Sequence, residues 1–183
     1  MPSKRELEAL FPNLIGAQWE IASPFDTQYN CIAWAACETH RRWWPAIYPP
    51  LGGDLDHWPP GIPREETIPC FVLAFRTLGY EPCGNGNFWF GHEKVAIYAD
   101  RELTPTHVAR QRLFGGGWLS KLGDYEDIYH RQLRDVEGDI SPLSTEYGTV
   151  VQYLKRSWLR TFQHWRARRK VANEKRKPGL IRS

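Results

Sequence analysis

The sequence predicts an α+β fold, with N-terminal helices packed on an antiparallel β-meander and a basic helix at the C-terminal end. Three observations predict it. Apolar residues recur at helical spacing around Leu7 and again from Phe71 to Leu78. From Lys94 onward the period changes to two. The connections Asp100–Pro105 and Leu113–Gly116 then suit antiparallel neighbours.

Taken in order, residues 4–11 make a short amphipathic helix with Leu7, Leu10 and Phe11 on one side, stopped by Pro12-Asn13. Ala17–Ile21 alternates like a strand. The turn formers Ser23-Pro24-Phe25-Asp26-Thr27 lead into Tyr29-Asn30-Cys31-Ile32-Ala33-Trp34-Ala35-Ala36-Cys37, a helix of small residues with Cys31 in its first turn. Residues 42–64 carry too many Pro and Gly for regular structure, yet Trp43, Trp44 and Trp58 argue for an ordered loop. Thr67 caps a second helix, with Pro69 in its first turn, Phe71, Val72, Leu73, Phe75 and Leu78 buried, and Gly79 ending it. Tyr80–Cys83 is extended. Strands follow at Lys94–Ala99, Thr106–Arg112 and Gly117–Leu122. Asp127–Val136 reads as a short helix, and Gly148–Leu154 as a strand or the start of a helix.

Composition divides the chain in two. Residues 1–154 hold 13 Lys+Arg against 20 Asp+Glu, whereas 155–183 hold 11 against 1. The expected organisation is one α+β domain over 1–154 and a basic amphipathic helix with a frayed tail over 155–183. There is no secretory signal and no apolar run long enough to span a bilayer, so the expected location is cytoplasmic, or outside by a route that needs no cleaved signal peptide. Cys31, Cys37, Cys70 and Cys83 lack both framework and zinc spacing. They read as reduced thiols, and neither a metal nor a cofactor is expected.

The chemistry worth testing starts at Cys31. Free N–H groups and the positive end of the helix dipole favour a thiolate in a first turn. A thiol nucleophile needs an imidazole to take its proton, and the imidazole needs a polar group to fix its tautomer. His107, opening the second meander strand, is the candidate base. Ser120 on the next strand is the leading orienter, sharing a face with Trp118 and Leu122, while Asp124, Asp127 and His130 are alternatives. An oxyanion or substrate site would combine the Cys31 N–H with Asn30, Tyr29 or Gln28, and with Trp34 and Trp118. The plain reading of the same residues is a capping Asn30 and a buried structural thiol.

A resemblance adds to this. Tyr29–Ala35, Trp43-Trp44-Pro45, Trp58-Pro59, Gly79-Tyr80-Glu81, Glu93–Tyr98, Pro105–Gln111, Trp118–Gly123, Ile128-Tyr129-His130 and Tyr147-Gly148 resemble an uncharacterised bacterial and fungal family, a domain of unknown function, over about residues 10–156. The order of a Cys-bearing helix, a strand, and a His opening the next strand resembles the papain-like cysteine hydrolases, the NlpC and CHAP types above all. That resemblance implies a papain-like fold and a hydrolase or acyltransferase attacking an amide, ester or thioester in a protein or peptide-like substrate.

The tail adds a separate expectation. Leu154, Trp158, Phe162 and Trp165 form a stripe among Lys and Arg, and residues 155–177 suit nucleic acid or an anionic surface. The rival class for the whole chain is therefore a non-catalytic binding module, using an aromatic cleft or this basic helix to hold a protein or nucleic acid.

Overall fold

The computed structural model describes residues 4–47, 55–114, 116–139 and 146–159. Its centre is a seven-stranded antiparallel sheet. In chain order the elements are α1 (Lys4–Leu10), β1 (Trp19–Ser23), α2 (Cys31–Ala35), α3 (Ile68–Arg76), β2 (Glu81–Cys83), β3 (His92–Ala99), β4 (Pro105–Gln111), β5 (Trp118–Lys121), β6 (Asp127–His130) and β7 (Thr149–Ser157), with 3-10 turns at Pro12–Leu14 and Leu133–Val136. The strands lie in the order β1-β6-β5-β4-β3-β7-β2.

This corrects the expected fold class. The papain-like arrangement of helices packed on a meander is not what forms, because the three helices are short and the sheet dominates. The meander is real from β3 to β6, but β1 closes one side of it and β7 and β2 the other. Both faces of the sheet are covered. Alternation along each strand sends successive side chains to opposite faces. Val95, Ile97, Val108 and Leu154 therefore pack with α2, α3 and the Trp43 and Trp58 loop. Ala96, Tyr98, Ala109, Trp118 and Ile128 pack with Leu7, Phe11, Leu14 and Val136.

A second correction concerns residues 127–136, read as a helix. Asp127-Ile128-Tyr129-His130 is β6, paired with β5 and β1, and only Leu133–Val136 turns. Ile128 and His130 share a face, so the period is two. In α3 the buried side is Cys70, Phe71, Ala74 and Phe75, leaving Leu73 exposed. Thr67 holds the N-cap position without a side-chain hydrogen bond, and Pro in the first turn starts the helix. The residue-155 boundary falls inside β7, which runs on to Ser157. The expected C-terminal helix beyond Leu159 lies outside the described residues.

Candidate functional site

Cys31 opens α2, and Asn30 is the reason the helix starts there. The Asn30 side-chain oxygen accepts from the Ala33 N–H at 3.1 Å and the Trp43 N–H at 3.2 Å, while its amide donates to the Trp43 carbonyl at 2.8 Å. One side chain thus caps the helix and ties down the Trp43 loop. Tyr29 is buried and donates to Asp127 at 2.6 Å, and Ser23 donates to the same carboxylate. Gln28 is exposed. The Trp34 ring lies under the Arg110 guanidinium at 4.8 Å.

β4 and β5 pair only at Arg110–Leu119 and Gln111–Trp118. α2 packs against both strands, and the Cys31 sulfur meets the Val108 N–H. Burial pushes this thiol up to about 11, against the pull of the N–H groups of Val108, Ile32 and Cys31 and the charge of Arg42. The thiolate expected from helix position is therefore not the resting form. A helix start contributes roughly 0.3–1 kcal/mol, and burying an anion outweighs that.

His107 lies one residue before Val108, and its ring is on the other side of the sheet's alternation. It is opposite Tyr98 in register, at 5.2 Å between ring centroids, and it stacks on Tyr147 at 4.0 Å and 8°. Its Nε2 is 2.9 Å from the Ser120 hydroxyl oxygen, which is 2.9 Å from Nε2 of His130; Nδ1 of His130 is 2.7 Å from the Gln132 carbonyl. All three side chains are buried. Burial lowers the pKa of both imidazoles, that of His130 to about 4, so both are neutral.

Neutrality fixes where each proton sits. The Gln132 carbonyl only accepts, so Nδ1 of His130 carries the hydrogen and its Nε2 is an acceptor. Ser120 donates to that nitrogen and accepts from Nε2–H of His107. Nδ1 of His107 is then a bare lone pair, and it has no hydrogen-bond partner.

The structure thus brings His107, Ser120 and His130 into one chain of hydrogen bonds, with Trp118 on the same face. It brings Cys31 to the adjacent main chain, and no hydrogen bond joins the thiol to the ring. Tyr147 covers His107, and burial pushes its hydroxyl well above the usual phenol range. Of the alternative orienters, Asp124 is exposed and pairs with Arg42 at 3.0 Å, and Asp127 is engaged by Tyr29 and Ser23. Sequence reading missed Tyr147 as the cover of the ring. It also missed a half-buried group in which Arg110 at 2.7 Å and Arg156 at 3.4 Å both donate to the Cys37 sulfur. Cys37 has φ +60°, a conformation that no local motif announced.

The model of one family, a domain of unknown function designated DUF7689, matches residues 20–155. The chain belongs to the DUF7689 family. No curated protein and no solved structure matches this DUF7689 chain, and the resemblance to papain-like hydrolases gains no support from relatives. The matched stretch contains Cys31, His107, Ser120 and His130. Among the described residues of the DUF7689 domain, no group of three or more His, Cys, Asp and Glu is placed to hold a metal, and no helix is long and apolar enough to cross a membrane.

Proposed function

We propose that this DUF7689 domain is a thiol-dependent hydrolase or acyltransferase acting on an amide, ester or thioester bond of a protein or peptide-like substrate. Cys31 is the nucleophile and His107 the base. The observation that carries this reading is the bare Nδ1 of His107, a buried nitrogen left without a partner while its other nitrogen is fixed through Ser120 and His130. Buried polar atoms are nearly always satisfied, and a lone pair kept free and held in one tautomer is what a general base requires.

At rest both partners are neutral, which avoids two buried charges. The thiol proton passes to Nδ1 as the sulfur attacks the carbonyl carbon. This step requires substrate binding to bring the two together, because at rest no hydrogen bond joins them and the ring lies on the sheet face away from α2. Nε2–H stays bonded to Ser120, so the imidazolium forms without rearrangement of the chain behind it. The Cys31 N–H, which at rest faces its own sulfur and has no intrahelical acceptor, donates to the developing oxyanion. The proton returns to the leaving group, and water or an acceptor nucleophile then releases the acyl group from sulfur. Asn30 and Tyr29 act on position, since their polar groups are already bonded to Trp43 and Asp127.

The test is acyl transfer to Cys31, read by intact and peptide mass spectrometry after incubation with p-nitrophenyl acetate and an acetyl thioester. The expected adduct sits on Cys31, is lost in Cys31→Ala, and forms about 100-fold more slowly in His107→Gln. Acylation confined to Cys37 or Cys83, or indifferent to His107, overturns the assignment.

A further inference from the structure

An aromatic cluster stands at the sheet end where β3 starts and β7 finishes. Phe88, Trp89 and Phe90 lie in the loop before β3, Phe114 at the β4–β5 turn, and Trp158 and Leu159 just past β7. Trp158 joins the two loops, at 4.9 Å from Phe90 and 5.2 Å from Phe114. Burial does not explain the rest. Phe90 is 75% exposed, Phe114 66%, Leu159 75% and Trp89 54%. Single exposed apolar residues are ordinary, but a contiguous group carried on two loop tips marks an interaction site.

Its rim is basic. The Lys155 ammonium sits 4.4 Å over the Trp89 ring, His92 stacks beside that ring at 4.7 Å, and Arg112 and Arg131, both exposed, flank the turn that carries Phe114. Glu81, opposite Lys155 in register, is held by Arg76 at 3.5 Å. The chain leaves this cluster at Leu159, and the 24 residues that follow contain nine Lys and Arg against a single Glu.

We infer that this cluster docks on an anionic lipid surface. The apolar loop tips enter the headgroup and upper acyl region, and the basic rim of Lys155, Arg112 and Arg131 is drawn to the lipid charge. Hydrocarbon and cation together fit a bilayer better than a single-stranded nucleic acid. Stacking on successive bases needs ring faces in parallel array, whereas Phe90 and Phe114 stand tilted at 64° and 59° to Trp158 and Leu159 has no ring. Neither apolar insertion nor a basic segment anchors firmly alone, and the two combined do. The inference is independent of the chemistry proposed for Cys31.

The experiment uses the full chain with vesicles of phosphatidylcholine alone or with about 30% phosphatidylserine. Co-sedimentation is expected only with the anionic vesicles, falling with added salt, together with a blue shift of tryptophan emission. Phe90→Ser with Phe114→Ser, both exposed and so compatible with folding, weakens binding about tenfold or more, while circular dichroism stays unchanged. The inference is overturned by absence of binding to anionic vesicles or by binding indifferent to the double substitution. Tighter binding to a single-stranded oligonucleotide that the substitutions abolish, or a self-associated species that they dissociate, overturns it as well.

Discussion

The Ser120 hydroxyl oxygen lies 2.9 Å from Nε2 of His107, and this contact settles which nitrogen of the ring is basic. Without Ser120, the neutral ring is free to carry its proton on either nitrogen, and Nε2–H faces no acceptor. Ser120→Ala is therefore expected to cost about 1–3 kcal/mol of stability and to mix the tautomers of His107. Nitrogen chemical shifts of the imidazole read the tautomer directly. Ser120→Thr, which keeps the hydroxyl, should restore the single tautomer. An unchanged ring spectrum in Ser120→Ala would remove Ser120 from the positioning role.

The same chain makes stability depend on pH. His107 and His130 are held neutral by burial, with pKa values below those of the unfolded chain. The unfolded state then binds more protons between the two values. Stability is fully present above about pH 6.5 and falls as pH drops toward 4. For His130, lowered to about 4, the loss is on the order of 3 kcal/mol. Asp127 and Asp135, whose carboxyls burial raises, act in the opposite sense near and above pH 4. Urea midpoints across pH 4–8 should show the decline, and His130→Gln should flatten it.

Which parts of this were legible in the sequence follows from the range of the interactions. The meander from β3 to β5 and the placement of Ser120 beside Trp118 on one face needed only alternation and short connections. Residues 127–130 were misread because four residues are too few to separate periods of two and 3.6. The sheet's outer strands depend on pairings such as Trp19 with His130 and Pro82 with Leu154, which join distant parts of the chain. No local pattern specifies these. The same holds for His107: its residue type suggested a base, but its stacking on Tyr147 and its bare Nδ1 arise only when β4, β5 and β6 are assembled.

Arg156 shows why the basic end of the chain is not all tail. Its guanidinium bonds Glu93 at 2.7 and 2.8 Å, lies 4.4 Å over the Tyr80 ring, and is buried within β7. Removing one partner of a buried ion pair costs roughly 3–5 kcal/mol, and the lower end applies here because Arg110 at 3.9 Å and Tyr80 at 3.1 Å stay on Glu93. Arg156→Ala is expected to lower the urea-unfolding free energy by that amount, with Glu93→Gln smaller because the amide still accepts from Tyr80. A loss under about 1 kcal/mol would mean that solvent reaches the pair.

Gly148 carries the turn into β7 and tolerates no side chain. It has φ +74°, and a Cβ there would stand 1.9 Å from the Ala99 carbonyl oxygen, which the sheet holds fixed. Gly148→Ala should destabilise by more than the roughly 1–3 kcal/mol of backbone strain alone, seen as a lowered Tm. A wild-type Tm would show that the Ala99 and Gly148 backbones are further apart than described.

Cys31 should be the slowest or near-slowest of the four thiols toward iodoacetamide at pH 7.5. It is buried with its thiol pushed up to about 11, Cys70 is also buried, and Cys37 and Cys83 are partly exposed. The thiolate is the reacting species, so Cys31 labelling should climb with pH toward 11, while an acyl donor modifies it near neutrality through His107. These two behaviours together separate a thiol that loses its proton during attack from one already ionised. Fast, preferential alkylation of Cys31 near neutral pH would show an anion formed before substrate arrives, and the proton transfer assigned to the attack step would be wrong.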